Sequence, residues 1–227
     1  MNEAAALGFA TMASPSDNAS PFPDGFFDRQ DPSPDAAFYA TPRMVVHIDA
    51  ATIAALTDWY GEVLRPHDDV LDLMSSWVSH LPEEAALPLG RVTGLGMNAE
   101  ELAANPRLAS YDVVDLNASP RLPYRDASFD AVLCAVSIQY LVHPVAVMSE
   151  VARVLRPGGR VAIAISHRCF PTKAIRAFHM LPPSERQRAI AVYLKRAGGF
   201  EPAESIDRSP GGADPLWIVS ALRTAQE

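Results

Sequence analysis

Carboxylate and amide side chains lie within or at the end of two apolar runs of this sequence. Asp72 is part of the run VLDLM (70–74), and Asp115 and Asn117 close the run YDVVDLN (111–117). Such groups bind the amino and hydroxyl groups of polar ligands through hydrogen bonds. If the two runs are strands of one parallel sheet, their ends meet at the same edge of that sheet. The spacing therefore predicts a ligand-binding cleft at this edge.

Two histidines follow later apolar runs and are candidates for acid–base chemistry. His143 comes after FDAVLCAVSIQYL, and His167 comes after RVAIAIS. A neutral imidazole can accept a proton near pH 7. We therefore expect His143 or His167 to meet the reacting molecule, and Arg168 to hold an acidic group on it. The alternative for each histidine is a helix cap or a loop hydrogen bond, since His143 directly precedes Pro144.

The other histidines carry weaker expectations. His80 is a secondary candidate for the same role, and His47, His67 and His179 are expected to be incidental. Other chemistries lack their signatures. The sequence has no Gly-x-Ser-x-Gly nucleophile turn, no cluster with metal-ligand spacing, and no Gly-x-Gly-x-x-Gly after the first apolar run. We expect no metal.

The elements that must position these residues form an alternating pattern. FDAVLCAV and RVAIAIS read as two buried strands, and between them a helix opens at Pro144 and ends before Pro157-Gly158-Gly159. Shorter apolar runs before them predict three more strands, and FEPAESIDRS with DPLWIVSALR predicts a closing antiparallel pair. The pattern predicts an α/β fold with a doubly wound, mostly parallel sheet.

The composition of the chain limits the classes of partner that we expect it to bind. The 227 residues carry a formal net charge of -8 and no Lys/Arg-rich run, which argues against nucleic acid. No apolar stretch approaches the roughly 20 residues that span a bilayer, so we expect no membrane partner. The two distant cysteines, Cys134 and Cys169, favour reduced thiols and a cytoplasmic protein.

The N-terminal region differs from the rest of the chain. Residues 13–42 are rich in Pro, Ser and Asp, so we expect residues 1–42 to be a mostly disordered leader before a folded domain at 43–227. Its aromatic residues are a second signal, because some of them could pack on the domain. Such a leader could then serve as a lid.

Four motifs in the middle of the chain resemble one known family. In order, they are Asp115, Leu122-Pro123-Tyr124, Ser128-Phe129-Asp130 and RVLRPGG at 153–159. They resemble the class I S-adenosylmethionine-dependent methyltransferases, particularly the small type 11 group, over roughly residues 69–166. The resemblance implies a seven-stranded Rossmann-like sheet whose last strand is antiparallel. It also implies S-adenosylmethionine as cofactor and methyl transfer to a small-molecule acceptor.

The same resemblance implies roles for individual residues. Asp72 would orient the loop after the first strand and meet the cofactor's ammonium group. Asp115 would accept from the adenine amino group, with Leu116 and Asn117 alongside. The alternative for Asp115 is an Asx-turn that ends the third strand.

The family pattern breaks in the loop after the first strand. Family members have a Gly-x-Gly-x-Gly loop there, whereas this chain has MSSWVSH at 74–80, and Gly96 stands where the second strand normally ends in an acid. In one interpretation a remodelled loop still binds cofactor through Met74, Ser75 and Ser76, and Asn98 replaces the missing acid. In the other, the domain is a catalytically inactive methyltransferase-like binding or scaffold domain. We favour the first, because a polar and aromatic cluster without a role would cost stability.

Overall fold

The computed structural model describes residues 22–225 of the chain. The helices of this part are α1 (Asp35–Phe38), α2 (Ala50–Val63), α3 (Ala99–Ala104), α4 (Pro144–Val154), α5 (Arg176–Met180) and α6 (Pro183–Ala197), with a short 3₁₀ helix at Ile138–Tyr140. The strands are β1 (Val70–Ser75), β2 (Val92–Gly96), β3 (Ser110–Val113), β4 (Phe129–Ala135), β5 (Leu155–Ile165), β6 (Glu204–Asp207) and β7 (Trp217–Leu222). None of the described helices combines the length and apolarity needed to cross a membrane.

The seven strands form one sheet in the order β3-β2-β1-β4-β5-β7-β6. Strands β1 to β5 pair in parallel, and β7 is antiparallel to both β5 and β6. The predicted α/β fold, with a mostly parallel seven-stranded sheet and an antiparallel last strand, is confirmed. The third strand is shorter than its apolar run suggested, because the chain leaves the sheet before Asp115.

Side-chain alternation places the central strands between two apolar layers. Along β5, Val161, Ile163 and Ile165 pack on one face, whereas Ala162 and Ala164 pack on the other. The first face is covered by α4 and α6, and the second is covered by α2. Alternate side chains of a central strand point to opposite faces of the sheet, and both faces are buried here. Such a strand therefore appears in the sequence as a continuous apolar run.

The strand order reverses between β1 and β4. Strands β2 and β3 lie on one side of β1, while β4 and β5 continue on the other side. Loops that leave neighbouring strands in opposite directions open a crevice at the carboxyl ends of these strands, and ligands of such sheets bind there. The topology therefore places the candidate site after β1, β2, β3 and β4.

The leader is folded against the domain from residue 22 onwards, so the expectation of disorder is wrong for residues 22–42. Phe22 and Phe26 are buried, and their rings lie 5.0 Å apart. Backbone hydrogen bonds join this segment to the first turn of α5, where the amides of Arg176 and Ala177 donate to the carbonyls of Asp28 and Phe26. Averaged composition hid these buried aromatic residues. Residues 1–21 of the predicted leader lie outside the described part.

Candidate functional site

An open cleft lies at the carboxyl ends of β1 to β4, with about 1050 Å³ of empty space that includes solvent at its mouth. The loops after these strands form the floor of the cleft, and the leader forms one of its walls. Eight of the nine residues predicted for cofactor binding line it: Asp72, Met74, Ser75, Ser76, Gly96, Asp115, Leu116 and Asn117. One cleft therefore brings together residues that are up to 45 positions apart in sequence.

The loop at residues 74–80 keeps a glycine-like backbone without glycine. Met74 has φ 58° and His80 has φ 52°, a conformation that side chains with a Cβ rarely adopt. Two hydroxyls hold the loop in place, since Ser75 Oγ and Ser79 Oγ each donate to Asp72 Oδ2 at 2.6 Å. The carboxylate within β1 therefore organises the loop that follows this strand.

The Asp72 carboxyl is buried, and no cationic side chain of residues 22–225 forms an ion pair with it. Burial raises its pKa to about 6, although the hydrogen bonds from Ser75 and Ser79 oppose the shift. A nearby positive charge would favour the ionised form. Asp72 is thus suited to meet a cationic group that enters the cleft.

Gly96 is required by the path of this loop. A Cβ at residue 96 would lie 2.3 Å from the Ser75 carbonyl oxygen and 3.1 Å from Leu102 Cδ2. The backbone of the remodelled loop therefore occupies the space where a larger residue would stand at the end of β2. This packing explains why no acid is present at that position.

Replacement of Gly96 by Ala is expected to lower the free energy of unfolding by about 2 kcal/mol, because the clash is with backbone and cannot relax by rotation of a side chain. Urea denaturation measures the change. Gly211→Ala is the matched control, since a Cβ there meets nothing within 4 Å. Equal stability of the two variants would show that the loop does not pack as described.

Asn98 does not line the cleft. Its side-chain oxygen caps α3 by accepting from the amides of Glu100 and Glu101, and its amide group donates to the Tyr39 carbonyl at 2.9 Å. The prediction that Asn98 replaces the missing acid is therefore not supported by its position. Glu101, one turn later, lines the cleft and accepts from Ser76 Oγ at 2.5 Å.

The loop after β3 combines a local turn with a cleft position. Asp115 Oδ1 accepts from the amides of Asn117 and Ala118, so the Asx-turn exists. Asp115 also lines the cleft, which makes the two interpretations compatible. Asn117 links the leader to the 3₁₀ helix after β4. Its Nδ2 donates to Asp35 Oδ2 in the leader at 2.7 Å and to the Tyr140 carbonyl in the helix at 2.9 Å.

His143 and His167 lie outside the cleft, which corrects the expectation that they face an acceptor. His143 is exposed at the N-terminus of α4. His167 Nε2 lies 3.0 Å from Asp214 Oδ1, and Arg168 also pairs with Asp214. Both side chains are therefore engaged by Asp214, which precedes β7, and neither lines the cleft.

The histidines at the cleft are His47 and His80, and sequence reasoning ranked both too low. Burial lowers the pKa of His80 to about 4, with a further contribution from His47. Burial also lowers the pKa of His47, although Glu101 opposes it. Both rings are therefore neutral near pH 7. His80 belongs to the loop at residues 74–80, which the sequence had already indicated as part of the site. His47 lies in the segment after the leader, where no local motif indicated a site residue.

The leader and the segment that follows it supply five cleft residues in all: Asp35, Tyr39, Arg43, Val45 and His47. Next to them, Tyr140 and Phe170 form an aromatic pair with ring centroids 5.9 Å apart, and the Phe170 ring also lies 5.2 Å from the His47 ring. Among residues 22–225, no group of three or more His, Cys, Asp or Glu side chains could hold a metal ion. The cleft thus offers carboxylates, neutral imidazoles and aromatic faces to a polar organic ligand.

The sheet order, the switch-point cleft and the strand-end acids define a Rossmann-like α/β domain with a candidate ligand site at its strand ends. Residues 76–163 match the family Methyltransf_11, described as Methyltransferase domain. This match and the fold confirm the resemblance to the class I S-adenosylmethionine-dependent methyltransferases.

Individual relatives agree with the family match over part of their length. The chain is 44% identical to a demethylmenaquinone methyltransferase of Mycobacterium sp. (strain KMS) over 112 residues, which is 47% of this chain and 46% of that protein. It is 38% identical to the 27-O-demethylrifamycin SV methyltransferase of Amycolatopsis mediterranei (strain S699) over 78 residues, which is 32% of this chain and 29% of that protein. The chain thus spans less than half the length of these relatives.

Solved structures share the fold at low sequence identity. The geranyl diphosphate C-methyltransferase from Streptomyces coelicolor A3(2) has a TM-score of 0.55 and 15% identity, covering 83% of this chain and 97% of that chain. The [4+2]-cyclase SpnF also has a TM-score of 0.55, with 18% identity, covering 75% of this chain and 81% of that chain. Because one of these proteins is a methyltransferase and the other a cyclase, the shared fold alone does not decide the reaction.

Proposed function

We propose that this chain binds S-adenosylmethionine in the cleft and transfers its methyl group to a small-molecule acceptor. The observation that carries the proposal is the convergence of eight predicted cofactor residues, from three separate strand ends, on one cleft. A domain whose site had decayed would have no reason to keep Met74 in an unfavourable conformation beside a buried carboxylate.

The residues present fit this cofactor by charge. S-adenosylmethionine carries a sulfonium and an ammonium against one carboxylate, so it is net positive at neutral pH. Four acids line the cleft, Asp35, Asp72, Glu101 and Asp115, and Arg43 is the only Arg or Lys that lines it among residues 22–225. Arg29 and Lys173 already pair with Asp35, which leaves three acids for a ligand. Asp72 would hold the ammonium, and Asp115 would hold the adenine amino group. When bound, the cofactor supplies an electrophilic methyl group, so the chain mainly has to position the acceptor.

A small acceptor is supported by the enclosure of the cleft. The leader closes one side of the cleft, so an acceptor has to enter between the leader and the strand-end loops. The relatives carry names that specify demethylmenaquinone and 27-O-demethylrifamycin SV as their acceptors. The neutral rings of His47 and His80 can hydrogen-bond an acceptor's hydroxyl or amine. The free thiols of Cys134 and Cys169 agree with the cytoplasmic location that we propose.

Calorimetry with S-adenosylhomocysteine tests the proposal most directly. We expect one site per chain with micromolar affinity. Absence of detectable heat, together with no thermal shift from either cofactor form, would contradict methyl transfer. It would favour the inactive methyltransferase-like binding domain instead.

Replacement of Asp115 by Asn tests how the cofactor would lie. The side-chain oxygen of the variant can still accept in the Asx-turn, but its NH₂ group would face the adenine amino group, donor against donor. We expect affinity for S-adenosylhomocysteine to fall about tenfold or more. The same variant should bind S-inosylhomocysteine, whose purine has a carbonyl at this position, better than the wild type does. An unchanged preference between the two ligands would remove Asp115 from purine recognition.

A further inference from the structure

Arg43 is, among residues 22–225, the one permanently charged cation that lines a cleft with four acids. It belongs to the segment between α1 and α2, outside residues 76–163 that match the family. Nothing in the sequence marked it as a site residue. Its contacts differ from those of a surface arginine.

The Arg43 side chain is held in one orientation. Its Nη1 donates to the carbonyls of Phe38 at 2.7 Å and Thr41 at 3.1 Å. Its guanidinium carbon lies 4.3 Å from the ring centroid of Phe38 and 5.7 Å from that of Phe170. The Arg43 backbone amide is fixed as well, since it donates to Glu101 Oε1 at 2.7 Å. Little conformational entropy remains to be lost when this side chain binds a ligand.

The remaining donors of this guanidinium are unused. Nε and Nη2 have no acceptor among residues 22–225, and no carboxylate in this range lies within ion-pair distance of Arg43. In contrast, Arg153 and Arg156 each pair with two acids. In a chain with excess acid, an oriented and unpaired guanidinium facing a cleft indicates that its partner is a ligand.

We propose that Arg43 binds a carboxylate inside the cleft. The inference rests on the proposed function and deepens it. Nε and Nη2 form a fork that matches the two oxygens of a carboxylate. Two sources share this chemistry: the amino-acid carboxylate of the cofactor, and an acidic group on the acceptor. The cofactor is the expected source, because Asp72, Glu101 and Asp115 line the same cleft and would repel an anionic acceptor more than a ligand with two positive charges and one negative charge.

Two ligands separate a carboxylate effect from general damage to the leader. S-adenosylhomocysteine contains the amino-acid carboxylate, whereas 5′-methylthioadenosine lacks the amino-acid part. In Arg43→Gln, we expect calorimetry to show a 10- to 100-fold loss of affinity for S-adenosylhomocysteine and a change of less than about threefold for methylthioadenosine. Arg43→Lys should keep part of the affinity. The exposed Arg121→Gln serves as the control for the change of net charge.

A second arm tests the acceptor as the source. With S-adenosylhomocysteine saturating, 4-hydroxybenzoate is titrated against its uncharged analogue 4-hydroxybenzyl alcohol. Loss of benzoate binding alone in Arg43→Gln would assign the carboxylate to the acceptor.

The two proposals fail in different ways. Equal binding of all four ligands by wild type and Arg43→Gln, or equal losses for S-adenosylhomocysteine and methylthioadenosine, overturns the role of Arg43 only. A wild type that binds neither nucleoside overturns the proposed function, and this assignment with it.

Discussion

Replacement of Asp72 by Asn is expected to make the protein more stable at pH 8 and to weaken cofactor binding. The folded-state pKa of Asp72 is about 6, against 3.8 for the free side chain. Between pH 4 and pH 6 the folded state therefore binds more protons than the unfolded state, so the free energy of unfolding falls as pH rises through this window. Above pH 6 the buried charge costs about 3 kcal/mol.

The Asn side chain removes this cost but accepts more weakly from Ser75 and Ser79, so the expected net gain at pH 8 is about 1–2 kcal/mol. The midpoint of thermal unfolding should rise by about 2–8 °C at pH 8 and hardly at all at pH 4. The exposed Asp58→Asn, which makes the same charge change, should show no such pH dependence.

Binding supplies the second half of this prediction. S-adenosylhomocysteine affinity should fall at least about tenfold in Asp72→Asn at pH 8, because the cation of the ligand loses its buried partner. In the wild type, affinity should rise with pH up to about 7, since binding favours ionised Asp72. Greater stability with unchanged affinity would mean that Asp72 only organises the loop. Lower stability at pH 8 would mean that the buried charge is not costly.

The sheet could be predicted because β4 and β5 each contain a continuous apolar run, at residues 131–135 and 161–165. Val132 and Cys134 pack on one face of β4, while Ala131 and Leu133 pack on the other. The sequence therefore shows no alternation of polar and apolar residues along this strand, only a continuous apolar stretch. The positions of Asp72 and Asp115 followed from the same reasoning, since strand ends share an edge. These predictions depended on local pattern alone.

The leader could not be predicted in this way. Lys173 is completely buried, and it pairs with Asp31 and Asp35, which lie about 140 positions earlier in sequence. Only the fold brings these charges together, and averaged composition suggested disorder. The same limitation placed His143 and His167 at the site, because the turn after β5 and the partner Asp214 are tertiary features. A single clue was available, the aromatic residues of the leader.

Replacement of Lys173 by Met is expected to release the leader from the cleft. Lys173 Nζ lies 3.0 Å from Asp31 Oδ2 and 3.2 Å from Asp35 Oδ1, and it donates to the Ser33 carbonyl at 2.8 Å. Burial raises the pKa of Asp35, but hydrogen bonds from Asn117, Arg29 and Lys173 outweigh this and leave it below its usual value. Removing one member of a buried ionic network leaves uncompensated charge and costs about 3 kcal/mol or more.

We expect this loss of stability to be confined to the leader, because few backbone hydrogen bonds join the leader to the rest of the domain. Hydrogen exchange should show about 100-fold less protection at the amides of Arg176 and Ala177, which bond to leader carbonyls, while the amides of β4 and β5 change little. The exposed Lys195→Met loses the same charge and should change neither set. S-adenosylhomocysteine affinity should fall with leader protection, since the leader forms one wall of the cleft. Uniform loss of protection across the sheet would instead make the network part of the global fold, and the leader would then not open on its own.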